Sequence, residues 1–576
     1  MTYETLLRSS GVVSGESDLW CTYAAVRTLR WLDRVGDLPS PETVAGFLAS
    51  RQNSDGGYAW SAGMSSDAWA TYYCTQAMAD LPDGSRGEAG RPSSAWVWSA
   101  ANEDGGFAMT PGQASDVWAT YYAVRTLVEI YGEQPPEALQ DWLAALQAED
   151  GGLAWSPGHA KDGASDVRAC YYAITAWRTA TGGRGPLPWD RERLTGWLRG
   201  RQSAAGGFTF QEGDETDCLW ATFRATSALR RLDDTPRDVE GCVAWIRARL
   251  SPDGSFTRWP GYPVPDVWAA FCAVGALREL GAGLDDIADR VVEAVLSFRT
   301  GQGGFTYREP ELASEVLTTS AHLLAGRLSG TGERDAVRWM ESCMMPNENG
   351  IMYMPGRGSE VRCTLWGLSA GAFANDAAAR LRIADWLATA IRNPDGGYGY
   401  WEGRASDMVS TCAAAEILHR TEGDAAAACL PGIAGYVATC ETVPGQYANV
   451  PGGRPALRAT LQALRALHRT GRTDAAAVGD ALTRHRVRGG GFANEGNRVP
   501  DLLSTYESTL AADVFGLAVD PEHLRKFLDS VRTADGGFAW TPLMAASGGP
   551  LADCLGRRLE LRLSSEQHAL PPLALS

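Results

Sequence analysis

Arg51-Gln-Asn-Ser-Asp-Gly-Gly-Tyr-Ala-Trp60 and Arg532-Thr-Ala-Asp-Gly-Gly-Phe-Ala-Trp540 lie near opposite ends of the chain and are two copies of one motif. Aligning the apolar residue that closes the glycine turn gives Tyr58, Phe107, Leu153, Phe208, Phe256, Phe305, Ile351, Tyr398, Tyr447, Phe492 and Phe538, spaced 45 to 55 residues apart. Self-similarity at that period marks a repeat protein, whose units bury their apolar faces against one another.

A second series runs in phase with the first: Ser17-Asp18-Leu-Trp-Cys-Thr22, Ser66-Asp67-Ala-Trp-Ala-Thr71 and Ser115-Asp116-Val-Trp-Ala-Thr120. It continues at Asp166, Asp266, Glu315, Glu360, Asp407 and Asp501. An acid ahead of apolar residues at helical spacing predicts a capped helix with a buried face. Each repeat then carries a more amphipathic segment, such as Pro41-Glu-Thr-Val-Ala-Gly-Phe-Leu-Ala-Ser-Arg51, whose proline and early acid suit a helix N-terminus. The reading is all-α, because no alternating run is long enough to argue for a sheet.

About a dozen helix starts are phased this way, the last a short one near Asp553. Six helix pairs close one α/α barrel, so the count predicts two, with a boundary near residue 297. This gives a first barrel over 1–297 and a second over 298–576, the N-terminal segment packing with the second. With 576 residues, 45% hydrophobic, and 21 tryptophans, the chain can fill two cores. Tryptophan two residues after the acid at Trp20, Trp69, Trp118 and Trp268 predicts an aromatic core in the first barrel.

The Gln-x-x-Asp-Gly-Gly-Phe-x-Trp repeats resemble the QW motifs of the squalene-hopene and oxidosqualene cyclases, the class II diterpene cyclases and the protein prenyltransferase β-subunits. The resemblance covers nearly the whole chain, and two barrels favour the cyclases over the single-barrel subunit. It implies a class II-like terpene cyclase, of isomerase or lyase type in isoprenoid biosynthesis, that protonates and cyclises a linear isoprenoid, most simply a prenyl diphosphate. That chemistry needs a carboxylic acid kept protonated in a dry pocket and aromatic faces for carbocations. The family's Asp-x-Asp-Asp signature is absent here.

In the family's second barrel the acid heads an inner helix, a place held here by Glu315, Glu360 and Asp407. Glu360 is the leading donor, with Glu315 and Asp407 as neighbours or substitutes. The plainer role for any of these acids is capping its own helix. Arg362, Arg404, Arg454 and Arg458, with Arg357, fall at or near equivalent heads and would hold a diphosphate, or else are solvated surface arginines. Tyr353, Trp366 and Tyr506 would shape the cation path. Asp217-Cys218 resembles part of the oxidosqualene cyclase Asp-Cys-Thr-Ala-Glu motif and makes Asp217 an outside candidate.

A diphosphate substrate would admit magnesium. Asp285-Asp-Ile-Ala-Asp289 copies the metal-binding string of ionising terpene synthases, but it falls at an outer helix start, where surface acids match the helix dipole. Zinc is not expected, since no Asp, Cys and His trio can be assembled at the heads. Twelve scattered cysteines read as reduced thiols, and Met1-Thr-Tyr-Glu-Thr5 has no signal core, so a cytoplasmic protein is expected. A net charge of −17 argues against nucleic acid as the main partner. Peripheral membrane contact, which the likeness to triterpene cyclases implies, is compatible with the sequence, and no protein partner can be inferred. Two other readings stand beside the cyclase: a noncatalytic isoprenoid-binding or scaffold protein, and a carbohydrate-active α/α barrel, since rings of acids and tryptophans also suit sugars.

Overall fold

The computed structural model describes residues 12–61, 64–85, 92–163, 165–421, 424–496, 498–565 and 568–576. Met1–Thr5 lies outside them, as does all but Val12 of the N-terminal segment expected to pack with the second barrel.

The acids of the second sequence series do start helices. Asp67 accepts a hydrogen bond from the Ala70 amide at 2.7 Å, Asp266 from Ala269 at 2.8 Å and Asp501 from Ser504 at 2.7 Å. Each thereby satisfies one of the amides that a helix start leaves without an internal partner. The helices that follow are buried and form two closed rings. In the first, Leu19–Trp31, Ala68–Asp80, Val117–Arg125, Val167–Thr181, Leu219–Arg231 and Val267–Glu279 each pack on the next, and the last returns to the first. The second ring closes in the same way through Val316–Leu324, Val361–Ser369, Met408–Arg420, Leu457–Arg469, Leu502–Val514 and Gly549–Ser564. Half-exposed helices such as Pro41–Ala49, Arg191–Gly200 and Pro521–Val531 form the outer layer. Among the described residues the only strands are a short ribbon, Glu441–Val443 with Gln446–Tyr447.

The glycine motif is the joint between these layers. Its first glycine takes a left-handed turn, with φ of +90° at Gly105. A Cβ on its second glycine, Gly106, would lie 2.7 Å from both Ser115, at the next inner helix head, and the Trp142 ring of an outer helix. The motif's closing residue is then tied to the same inner helix: the Phe107 amide donates to Thr120 Oγ1 at 3.0 Å. The pattern recurs at Tyr58 with Thr71, Tyr398 with Thr411 and Phe492 with Thr505.

Ring closure follows from this joint. Phe305 donates to Thr22 Oγ1 at 3.0 Å, so the sixth motif fastens the first inner helix rather than a seventh. The chain accordingly divides into one compact unit of residues 13–313 with 355–357, and another of 314–354 and 358–576 with Val12. The division falls later than residue 297 because the turn around Phe305 belongs to the first ring.

Two sequence readings change. The last inner helix is not short: it runs Gly549–Ser564, sixteen residues, with Asp553 inside it. Asp553 Oδ1 accepts the Phe538 amide at 2.8 Å, the task threonine performs elsewhere. Asp217 is a structural substitute. Its repeat has Ala205 where others have Asp55 or Asp104, and Asp217 supplies the missing carboxylate to Ser203 and the Gly207 amide. Cys218, not Asp217, caps the helix that follows.

Trp20, Trp69, Trp118, Trp220 and Trp268 are each at most 1% exposed. Trp20 lies 5.0 Å from Trp69 and 4.2 Å from Trp268 between ring centroids, so the head end of the first barrel is filled with packed indoles.

Two measurements check this account. Gly106→Ala should destabilise by about 1–3 kcal/mol in denaturant unfolding, because the added methyl meets two packed side chains. Gly196→Ala, on an open face of an outer helix, should stabilise by about 0.5–1 kcal/mol. Burial pushes Asp266 up to about 6, against the opposing field of Arg258. A raised carboxyl favours folding most when protonated, so its contribution is complete below about pH 4 and is lost as pH rises through 6. Relative to Asp266→Asn, which keeps the cap, the wild type should lose about 3 kcal/mol across that window.

Candidate active site

Three successive inner helices of the second barrel place Glu315, Glu360 and Asp407 at their N-termini, at one end of the ring. Their carboxylates are used differently. Half-buried Glu315 accepts from the Leu317 amide at 3.1 Å, the Thr318 amide at 2.9 Å and the Thr318 hydroxyl. Desolvation pushes its pKa up and outweighs those bonds and a further one with the Tyr353 side chain. Asp407 caps through the Ser410 amide at 2.8 Å and pairs with Arg362 at 2.9 Å. Buried Glu360 makes no cap at all; its Oε2 accepts from the Cys363 thiol at 3.1 Å.

The arginines are gathered only in part. Arg362 also donates to Ser410 Oγ at 3.0 Å, and its guanidinium lies 5.3 Å from the Tyr400 ring centroid. Buried Arg404 lies 5.0 Å from the same ring. Tyr400 is a member of this cluster that the sequence reading missed, although it stands where Tyr353 stands one motif earlier. Half-buried Arg458 is anchored by its amide to Asn494 Oδ1 at 3.0 Å, and Arg454 is exposed on the preceding turn. Arg357 belongs to the other unit, 5.1 Å from the Trp20 and Trp60 rings, and so leaves the expected set.

Deeper in the bore, Trp366 and Tyr506 meet a segment of the chain itself. Tyr506 donates to the Pro571 carbonyl at 2.8 Å, Ser369 to Pro572 at 2.7 Å, Trp366 to Ala574 at 3.1 Å and Gln462 to Leu575 at 2.8 Å. Three inner helices that are not all neighbours in the ring hold this segment, through Trp366, Gln462 and Tyr506 in their middle turns and Ser369 at a helix end, which places it inside the barrel. Leu570, Leu573 and Leu575 are at most 5% exposed in the resulting apolar cluster.

Beside it lies a charged group that was not anticipated. Arg465 pairs with Glu416 at 3.0 Å and Glu507 at 2.8 Å, and Arg469 pairs with Glu416 at 3.0 Å. Arg465, Glu416 and Glu507 are each at most 1% exposed. Burial pushes Glu507 up despite the arginine. The available signal was charge on a face of the inner helices that is otherwise apolar.

Among the described residues no group of three or more His, Cys, Asp or Glu could hold a metal ion. The heads do not suit magnesium, which favours carboxylate and water oxygens: Asp407 is neutralised by Arg362, and Glu315 faces N–H and O–H donors. Asp286 and Asp289 of the Asp-Asp-x-x-Asp string each pair with an arginine, Arg247 and Arg34. No helix among the described residues is long and apolar enough to cross a membrane.

No curated protein sequence matches the chain significantly. Among solved structures, a Candida albicans protein geranylgeranyltransferase-I complexed with GGPP is similar at 14% identity, over 51% of this chain and 88% of that one, with a TM-score of 0.39. A variant of the type II terpene cyclase MstE from Scytonema, in complex with geranylgeranyl dihydroxybenzoate, is similar at 19% identity over 48% and 82%, with a TM-score of 0.36. The ent-copalyl diphosphate synthase from Streptomyces platensis is similar at 14% identity over 97% and 98%, with a TM-score of 0.33. These likenesses are too distant to carry an argument about activity. The model of the prenyltransferase alpha-alpha toroid domain matches residues 6–86, 61–217, 186–316, 316–456 and 457–549. With those matches spanning most of its length and two closed rings of paired helices, the chain belongs to the prenyltransferase alpha-alpha toroid family.

Proposed function

We propose that this toroid handles a linear isoprenoid and that its second barrel starts cyclisation by protonation, with Glu315 as the donor. The observation that carries this is the contrast between two neighbouring head carboxyls. Glu315 has no cation partner among the described residues and is pushed towards its neutral form, whereas Asp407 is paired with Arg362. A neutral carboxyl can give its proton to a terminal alkene: the π electrons form the new C–H bond, and the O–H pair stays on the carboxylate. The tertiary cation is attacked by the next double bond, and loss of a proton from the last cation restores the balance. Arg362 and Arg404 would hold an anionic end of the substrate against Tyr400, with Arg458 and Arg454 further out. Glu360, hydrogen-bonded to Cys363, would adjust the neighbouring field rather than donate.

Residues 571–575 occupy the bore, which bears equally on the cyclase and on the second reading, a binding protein without turnover. An isoprenoid entering there must displace Leu573 and Leu575. Burial of each contributes about 1.5–3 kcal/mol, enough to weaken binding by orders of magnitude. The carbohydrate reading loses its motive, because the repeated tryptophans of the first barrel pack on one another and line no open groove.

The test is incubation with geranyl, farnesyl and geranylgeranyl diphosphates and with squalene, followed by mass spectrometry. Glu315→Gln should lower turnover at least about 100-fold with substrate binding retained, and Glu360→Gln should cost less. Turnover should fall as pH rises through the Glu315 pKa, because the neutral form is the active one. Unchanged turnover in Glu315→Gln would sink the assignment, and binding without any product would favour the second reading. Leu573→Ser with Leu575→Ser should tighten isoprenoid binding at least tenfold by calorimetry, since less apolar contact is given up.

A further inference from the structure

The first barrel contains a chamber that the proposed chemistry does not use. Three residues after Trp20, Trp69, Trp118, Arg168, Trp220 and Trp268, one helical turn further along the bore, stand Tyr23, Tyr72, Tyr121, Tyr171, Phe223 and Phe271. Beyond and between these rings the bore opens into a cavity of about 140 Å³ whose wall includes Arg27, Arg125, Arg224, Arg231 and Arg278. It shares Arg125, Arg231 and Glu279 with an open pocket of about 370 Å³, so solvent reaches it at that side.

The charges around it do not balance. Arg27 pairs with Asp80 at 2.6 Å, Arg125 with Glu129 at 2.7 Å and Arg231 with Glu279 at 3.2 Å. Arg224 and Arg278 have no ion pair or hydrogen bond among the described residues. Arg224 is 4% exposed, on an inner helix, with its guanidinium 4.3 Å from the Tyr171 centroid and its Nε without a partner. A buried guanidinium left this way is costly unless something anionic meets it. The potential is visible at Tyr171. Burial pushes that hydroxyl's pKa up, but the fields of Arg224, Arg231 and Arg125 outweigh it and leave the pKa below the usual tyrosine value. The space equals that of four or five waters at about 30 Å³ each, well below the roughly 300–1,000 Å³ of pockets for larger organic ligands.

We propose that this chamber binds a small free polyanion, inorganic diphosphate, with Arg224 and Arg278 as its unpaired cationic contacts and the tyrosine hydroxyls as further donors. Guanidinium forks suit phosphate oxygens, and Arg224 and Arg278, neither held in an ion pair among the described residues, supply the matching charge. The site lies in the first barrel and stands whether or not the second one cyclises anything.

Calorimetric titration of the full chain with sodium diphosphate tests it. One site per chain is expected, with Kd weakened at least tenfold in Arg224→Met and several-fold in Arg278→Ala, whose position is exposed and should not disturb folding. Inorganic phosphate should bind at least tenfold more weakly. Diphosphate should also raise the pKa of Tyr171, read as delayed tyrosinate absorbance in a pH titration and lost in Tyr171→Phe. Absence of diphosphate binding, or affinity unchanged in both arginine variants, would overturn the proposal. Competition by geranyl diphosphate as strong as by diphosphate would overturn the free-anion assignment in favour of a prenyl headgroup.

Discussion

The structure depends on a glycine that has no room for a side chain. At Gly57, Gly106, Gly152, Gly207 and Gly350 the α-carbon is pressed between an outer-helix tryptophan and the serine or aspartate just ahead of the next inner helix, with 2.6–2.8 Å to a hypothetical Cβ. That contact joins one repeat's turn to the next repeat's two helices. In the first ring the turn amides of Tyr58, Phe107, Leu153, Phe208 and Phe305 are each fixed on a threonine or cysteine of an inner helix, and this sets the rotation between units. Six such steps return to the start, as Phe305 on Thr22 shows, so barrel closure is an outcome of local packing repeated rather than a separate interaction.

Closure has opposite consequences in the two rings. In the first, large indoles in the first turn of the inner helices fill the head end of the bore, and arginines further along line a wet chamber. In the second, the corresponding helices carry Leu317, Arg362, Val409 and Arg458 near the heads, and the mid-level is occupied by residues 571–575. The same scaffold therefore offers an anion-suited chamber in one unit and a ring of carboxyls above an apolar, self-filled bore in the other. What differs is the side chain at a few inner positions, which is how a repeat fold takes on separate chemistries.

The head carboxyls illustrate how environment divides equivalent residues. Glu315, Glu360 and Asp407 occupy one place in the repeat, yet one is desolvated without a cation, one bonds a thiol, and one is paired with arginine. What each carboxyl meets is set by its surroundings and not by its place in the repeat. Arg362 acts on Asp407 from one helix earlier, and Tyr353 reaches Glu315 from the following turn.

The repeat, the capped inner helices and the all-α class were legible in the chain, because glycine turns, capping acids and helical periodicity are local rules that each copy states again. The tryptophan core of the first barrel was legible for the same reason. Long-range facts were not: that Arg357 leaves the second-barrel heads, that Asp217 substitutes for a carboxylate absent at position 205, and that Tyr400 joins Arg362 and Arg404. The insertion of residues 571–575 into a bore formed by helices more than a hundred residues earlier, and the convergence of Arg224 and Arg278 on one cavity, have no sequence spacing to announce them. The sequence determined the repeating unit, since its interactions lie within one period. Only the tertiary structure decided which side chains share an enclosed volume, since closing a ring brings together residues that no local rule relates.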